Sequence, residues 1–329
     1  MTDLLELVCP AGTPASLRAA VDAGAHTVYL GFRDETNARN FPGLNFSRPE
    51  LEEGISYAQE NGTKVLVAIN TFPEAGDPSP WHAAVADAES CGADAVILAD
   101  IGLLDHATKN HPDLRRHLSV QASASNAEAI RFYHEEFDVK RVVLPRVLTV
   151  QEIKALNADL PVETEVFVFG GLCVMAEGRC SLSSYVTGQA PNMNGVCSPA
   201  SHVRYEENDG CMKSKLGDFT INSFGADEPV GYPTLCKGRF SVQGSVSYLF
   251  EDPTSLNAIE MLGQLVDAGV KALKIEGRQR GRAYVAEVVS NFRAAVDALE
   301  QGDTAPGVDL SAVTEGGRET TGAYDKIWR

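Results

Sequence analysis

Five of the chain's seven cysteines crowd into one stretch: Cys173, Cys180, Cys197, Cys211 and Cys236. Six residues separate Cys173 from Cys180, 16 separate Cys180 from Cys197, and 38 separate Cys197 from Cys236. This is not the paired C-x2-C of zinc ribbons or of bacterial ferredoxins, so spacing alone names no metal. The pattern suggests one four-thiolate metal site built from Cys173, Cys180, Cys197 and Cys236. Gly170, Gly171, Gly178 and Gly195 supply permissive backbone beside three of them, as a tight site needs. Arg179, Lys237 and Arg239 adjoin Cys180 and Cys236. Positive neighbours favour thiolate over thiol and offset the charge of a thiolate-ligated centre. Cys9 and Cys91 sit in apolar contexts and read as small buried hydrophobes, and Cys211 reads as having no role.

The compartment supports the metal reading. The N-terminus, Met1-Thr2-Asp3-Leu4-Leu5-Glu6, is acidic and lacks the basic start of a signal peptide. No apolar run is long enough to span a bilayer. A cytoplasmic location is therefore expected, where disulfides are rare and seven cysteines are better read as metal-binding, catalytic or buried. The net charge of −17 argues against wrapping nucleic acid by bulk electrostatics. No Gly-x-Gly-x-x-Gly follows the early strands, and the seven histidines are scattered, with His106 and His111 on a polar helix pattern.

Other chemistry-bearing residues fall at strand ends. Lys274 and Glu276 share a face of one strand, and Arg278 follows it. Ser119, Gln121 and Ser123 share a face of another, and Glu165 points with Phe167 and Phe169. Asn70 and Arg146 lie at strand C-terminal ends, and Arg39 lies in an Asn-Ala-Arg-Asn loop. Arg146, Glu165, Lys274, Glu276 and Arg278 are the candidate catalytic residues. Arg146, Lys274 and Arg278 are suited to binding a dicarboxylate. The competing reading for each is a polar plug or salt bridge inside a barrel.

The elements that position these residues follow from one recurring pattern. Asp22-Ala-Gly-Ala-His-Thr-Val-Tyr-Leu-Gly31, Ser90-Cys-Gly-Ala-Asp-Ala-Val-Ile-Leu-Ala99 and Asp267-Ala-Gly-Val-Lys-Ala-Leu-Lys-Ile-Glu-Gly277 each stop a helix at glycine and then run into a short apolar strand. Strands are expected at 4–9, 26–31, 64–70, 94–99, 117–123, 140–145, 163–169 and 271–276, with helices between most of them. Asn126 is a candidate helix cap, as is Thr149 with Glu152 three residues on. The fold class expected is α/β, a (β/α)8 TIM-barrel-like domain with a Cys-rich insertion after the seventh strand. Closure is not readable from sequence, and a doubly wound open sheet fits the same alternation. The first seven units span 1–172, the cluster-binding insertion 173–255, and the last helix-strand-helix 256–302. That last part includes a helix at 282–300 with Val285, Val288, Val289, Phe292 and Val296 on one face. A polar tail or arm follows at 303–329.

The segment Glu165-Val-Phe-Val-Phe-Gly170-Gly-Leu-Cys173-Val-Met-Ala-Glu-Gly178-Arg-Cys180-Ser-Leu-Ser183 resembles the signature of the collagenase-like peptidase family. That signature runs Glu-x-Phe, then Gly, a small residue, an aliphatic and Cys, then Gly-x-Cys and Ser. Gly171 stands where the family usually has Ser or Ala. Leu7-Val-Cys-Pro-Ala-Gly12, Thr36-Asn-Ala-Arg-Asn-Phe41, Gly43-Leu-Asn-Phe46, Ala68-Ile-Asn-Thr-Phe72, Val120-Gln-Ala-Ser123, Val143-Leu-Pro-Arg-Val147, Tyr232-Pro-Thr-Leu-Cys-Lys-Gly-Arg239 and Lys274-Ile-Glu-Gly-Arg278 are similar to the branch that serves oxygen-independent ubiquinone biosynthesis. The similarity spans residues 4 to about 300 and fades over 205–230, and Gly281-Arg282 stands where that branch has Ser-Pro. The resemblance implies a 4Fe-4S cluster on Cys173, Cys180, Cys197 and Cys236, and a heterodimer with the related protein UbiV. It also implies hydroxylation of the aromatic ring of a ubiquinone precursor without oxygen, with prephenate as hydroxyl donor. Competing functions are a cysteine peptidase, a structural zinc scaffold held by four cysteines, and an RNA hydroxylase, since other members of the wider family act on RNA.

Overall fold

Leu7, Cys9, Val28, Leu30, Val65, Val67, Val96 and Leu98 pack in one buried cluster, and the residues alternating with them, Val8, Tyr29, Leu66, Ala68, Ala95 and Ile97, pack in another. Successive side chains of a strand point to opposite faces, so these strands are covered on both sides, as a parallel sheet wrapped in helices requires. The structure is a computed structural model that describes residues 5–325, except 176, 178–179, 192–196, 209, 229 and 304–306.

Seven strands, β1 (Glu6–Pro10), β2 (Thr27–Leu30), β3 (Lys64–Ile69), β4 (Ala95–Leu98), β5 (Arg116–Leu118), β6 (Arg141–Val143) and β7 (Glu163–Gly171), pair in sequence order, all parallel. Between β7 and the eighth barrel strand come a three-stranded antiparallel sheet of β8 (Val203–Asn208), β9 (Cys211–Leu216) and β10 (Phe219–Phe224), a hairpin of β11 (Arg239–Val242) and β12 (Ser245–Tyr248), and β13 (Ser255–Asn257). The eighth barrel strand, β14 (Ala272–Ile275), pairs in parallel with both β1 and β7, which closes the barrel. The fold is thus a closed (β/α)8 barrel, and the open sheet is set aside.

Helices α1 (Pro14–Asp22), α2 (Arg48–Glu60), α3 (Ser79–Ser90), α4 (Ile101–Asn110), α5 (Ala127–Phe137) and α6 (Val150–Asn157) follow the first six strands in turn. Most have a sequence reason to start. Thr13, Asp100 and Asn126 cap α1, α4 and α5 through their side chains, and Ser47 with Glu50 and Thr149 with Glu152 form capping boxes on α2 and α6. Gly24, Gly92 and Gly269 of the repeated junction all have positive φ. After β7 come α7 (Ser181–Thr187) and α8 (Leu262–Asp267), and α9 (Arg282–Glu300) returns to pack on α1 with Val285, Val288, Val289, Phe292 and Val296 buried.

Three expectations are corrected. The strand expected at 117–123 ends at Leu118, because the Ser119 hydroxyl accepts the Gln121 amide and starts a 3-10 turn over Val120–Ala122, with Ser123 left-handed. Ser119, Gln121 and Ser123 therefore share no strand face. A register shift in the β7–β14 pairing turns Phe169 outward against Phe292 at 5.8 Å, away from the face that carries Glu165 and Phe167. The polar tail is not a free arm over its described length: β15 (Glu319–Thr320) pairs with β13, Leu310, Ala323 and Tyr324 are buried, and the Tyr324 hydroxyl donates to the Phe167 carbonyl. No helix among the described residues is long and apolar enough to cross a membrane.

Candidate active site at the barrel mouth

The barrel interior is ionic in its lower half. Arg141 of β6 forms two hydrogen bonds to Glu6 of β1, at 3.0 and 2.8 Å, and lies 2.7 Å from Glu163 and 3.4 Å from Glu165. Above this, the Lys274 ammonium donates to Glu165 Oε1 at 2.5 Å and sits 3.9 Å over the Tyr29 ring. Glu165 is wholly buried and Lys274 nearly so. Burial pulls Lys274 toward its neutral form, with Glu165 opposing it. Two of the sequence candidates, Glu165 and Lys274, thus form an ion pair in the barrel interior.

Three other candidates meet at the C-terminal end of the barrel, the face where such folds place their chemistry. Arg146, just past β6, donates to Glu276 at 2.7 Å and to Glu177 at 2.5 Å, and its guanidinium lies 3.5 Å above the Phe167 ring. Glu276, just past β14, is also 3.7 Å from Arg39. Gly170 makes room for it, since a Cβ there would meet Glu276 Cβ at 2.6 Å, and its φ of +126° suits only glycine. Arg278 is buried two residues further on, with its Nη1 donating to Asn37 Oδ1 at 2.9 Å. Asn70 Oδ1 accepts the Ala38 amide and so fixes the loop that carries Asn37 and Arg39. Gln121 is buried, and its amide oxygen has no donor among the described residues.

Sequence reasoning missed Glu177. It lies four residues past Cys173 within the cysteine motif, and its role appears only when the fold brings Arg146 against it. The two carboxylates on Arg146 are driven apart. Burial raises both, but Arg146, Arg39 and Lys237 bring Glu276 below the usual carboxylate range, whereas burial leaves Glu177 above it despite Arg146. Two carboxyls with opposite shifts beside one guanidinium can divide acid and base roles.

The cysteines border this mouth. Cys173 follows the end of β7, with its thiol 3.4 Å from the Met175 carbonyl. Cys180 caps α7, with its sulfur accepting from the Ser183 amide at 3.5 Å and hydroxyl at 3.3 Å. Cys236 lies on the 3-10 turn Leu235–Lys237. Burial is the largest influence on three of the thiols, pushing Cys173 up to about 11, Cys236 up to about 12, and Cys197 upward. Cys197 is exposed as a residue. Cys236 also feels Cys197, Cys173 and Cys180, so all four sulfurs share one electrostatic neighbourhood. Arg146 acts on Cys173, Arg39 on Cys197 and Lys237 on Cys236 in the opposite sense. Of the basic neighbours expected from sequence, Arg239 is taken by Glu228 and Tyr248; Arg179, like the expected Gly178 and Gly195, lies outside the described residues. Cys211 is exposed at the start of β9, Cys9 is buried in β1, and Cys91 follows α3.

Among the described residues no three His, Cys, Asp or Glu side chains are gathered closely enough to hold a metal ion. The donor chemistry nonetheless suits one. An all-sulfur set selects iron–sulfur clusters or zinc, and a bound cation would reverse the upward shift that burial imposes on these thiols. No histidine among the described residues hydrogen-bonds any of the four cysteines, so the pairing a cysteine peptidase uses is not on view.

Known proteins resemble this chain over most of its length. An uncharacterized protease, MJ0090, of Methanocaldococcus jannaschii is 32% identical over 92% of this chain and 67% of its own length. The tRNA hydroxylation protein P of Escherichia coli is 31% identical over 89% of this chain and 68% of that protein. The 23S rRNA 5-hydroxycytidine C2501 synthase of Escherichia coli is 29% identical over 92% of this chain but only 41% of that protein. The chain spans about two thirds of the length of most such relatives, and 63% of the tRNA hydroxylation protein P1 of Bacillus subtilis. These names do not single out the ubiquinone branch. The model of peptidase family U32 matches residues 12–321, and the chain belongs to that family.

Proposed function

We propose that the chain is the iron–sulfur subunit of an oxygen-independent hydroxylase, UbiU-like, acting with UbiV on the aromatic ring of a ubiquinone precursor, with prephenate as the hydroxyl donor. The observation that carries this reading is that Cys236 feels the charges of Cys173, Cys180 and Cys197, and Cys173 those of Arg146 and Glu177, beside the Arg146–Glu276–Glu177 cluster at the barrel mouth. A hydroxylation without oxygen needs a redox centre, and four thiolates are the donor set for a 4Fe-4S cluster. Such a cluster would supply electron transfer at the mouth. Arg146 orients the two carboxylates. Glu276 stays ionised, and Glu177 is the group that holds or releases a proton there. The similarity to proteins named for RNA hydroxylation supports hydroxylation as the reaction class.

Those same names favour a second reading, hydroxylation of RNA. The net charge of −17 weighs against it, because binding a polyanion needs clustered Lys and Arg. Expression with UbiV in an anaerobic host lacking its own quinone hydroxylases separates the two. Restored ring-hydroxylated quinone, with RNA nucleosides unchanged, supports the quinone reading. Hydroxylated nucleosides without any quinone effect would replace it.

A further inference from the structure

Five Lys or Arg residues are nearly fully buried among the described residues: Arg116, Arg141, Lys237, Lys274 and Arg278. Four have an acid within ion-pair distance: Asp138 for Arg116, Glu6 for Arg141, Glu315 for Lys237 and Glu165 for Lys274. Arg278 has none among the described residues. Its one hydrogen bond among them runs from Nη1 to the neutral Asn37 amide, and the Tyr29 ring lies 5.7 Å from the guanidinium carbon. Burial is the dominant influence on it and draws it down to about 10, so it remains charged at neutral pH. Burying a charge without a partner is strongly unfavourable.

The surroundings hold this guanidinium in place rather than merely tolerate it. Asn37 Oδ1 accepts from both Arg278 Nη1 and the Arg39 amide, and Asn37 Nδ2 donates to the Phe32 carbonyl. A Cβ at Gly31 would lie 2.5 Å from Asn37 Nδ2 and 2.9 Å from Arg278 Nη1, so glycine leaves the space the pair occupies. At the mouth, Arg39, Arg146 and Arg278 face two carboxylates, Glu276 and Glu177, and Arg146 and Arg39 are already engaged with them. Arg278 alone of the three guanidiniums has no carboxylate within ion-pair distance among the described residues.

We infer that Arg278, braced by Asn37 over Gly31, is an anion-binding subsite of the barrel mouth that takes a single carboxylate of a small organic acid. Arg146 and Lys274, the other cations expected to share that task, are occupied by protein carboxylates. The planar fork of the guanidinium takes a carboxylate through two parallel hydrogen bonds, and one unpaired guanidinium neutralises one carboxylate, whereas a phosphate dianion calls for a second free cation. The inference rests on the mouth being the working face, and it is tested by binding so that its failure is distinct from a failure of the proposed reaction.

The test is calorimetric titration of the full chain, prepared without oxygen, with acetate and separately with inorganic phosphate. Melting temperatures are recorded with and without each anion. Acetate is expected to bind and to raise the melting temperature, whereas phosphate does so at least about tenfold more weakly. Arg278→Gln is expected to lose acetate affinity by about tenfold or more. Its unliganded melting temperature should be no lower than that of the parent, since a lone buried charge has been removed. Gly31→Ala, which keeps the charge but crowds the guanidinium, should weaken acetate in the same direction. Absence of acetate binding by the parent, preference for phosphate, or unchanged acetate affinity in Arg278→Gln would each overturn the assignment.

Discussion

Replacing Glu165 by Gln should cost about 3–5 kcal/mol of folding stability, the range for removing one member of a buried ion pair. The side chain is wholly enclosed, with Oε1 2.5 Å from the Lys274 ammonium and Oε2 3.4 Å from Arg141 Nη1. Glutamine preserves the shape and one acceptor but removes the counter-charge from two buried cations. Arg141 keeps Glu6 and Glu163, so the loss falls on Lys274, which has no other acid within ion-pair distance among the described residues. Lys274→Met is the complementary change, and it should cost less because Arg141 still neutralises Glu165. In the double variant the lone ammonium is gone, so the pair should show a coupling energy of roughly 2 kcal/mol or more. The assay is urea denaturation of all four proteins at one pH, comparing midpoints at constant slope. A cost below about 1 kcal/mol for Glu165→Gln, together with additive single changes, would refute the reading of Glu165 and Lys274 as a structural plug.

Glu6 gives a pH signature. Burial pushes its carboxyl up, but two hydrogen bonds from Arg141 and one from Thr27 overcome this and hold it at about 2, against an ordinary value of 4.5. Its contribution is therefore present above pH 4.5 and lost as the pH falls toward 2, amounting to at most roughly 3 kcal/mol. Glu6→Gln should flatten that part of the stability–pH curve, and an unchanged acid limb would contradict the assignment. Gly12→Ala places a Cβ 1.7 Å from the Arg278 carbonyl, backbone against backbone, and should cost about 1–3 kcal/mol or more while displacing the mouth. Gly76→Ala, with open space around its Cβ, is the control and should be near neutral in thermal melts.

Much of the architecture was legible because it rests on local signals. The glycine-stopped helices, the side-chain caps and the paired apolar faces are encoded within a few residues of one another. The failures have equally local causes. Ser119 and Gln121 alternate with apolar neighbours as a strand would, yet the serine hydroxyl captures the Gln121 amide and turns the chain. The register shift that rotates Phe169 outward leaves no mark in composition. Closure was not readable, because it rests on β14 pairing with β1, strands from opposite ends of the barrel's chain order. The depth of a side chain was also hidden: Lys274 and Glu276 alternate as if on one strand face, but β14 ends at Ile275, so Lys274 lies in the interior pair while Glu276 reaches the mouth. Glu177 escaped notice because its partner, Arg146, is 31 residues away in sequence. The uncompensated charge on Arg278 could be recognised only after every other buried cation had been matched with its acid.

The central claim, that Cys173, Cys180, Cys197 and Cys236 hold the redox centre of a hydroxylase, is most directly tested by purifying the chain without oxygen and measuring its visible spectrum with its iron, sulfide and zinc content. The account predicts a brown protein with about four irons and about four sulfides per chain. Serine at any one of the four positions should remove the colour, while serine at Cys9, Cys91 or Cys211 should leave it. A colourless protein carrying one zinc per chain, or iron that survives replacement of these four cysteines, would contradict it.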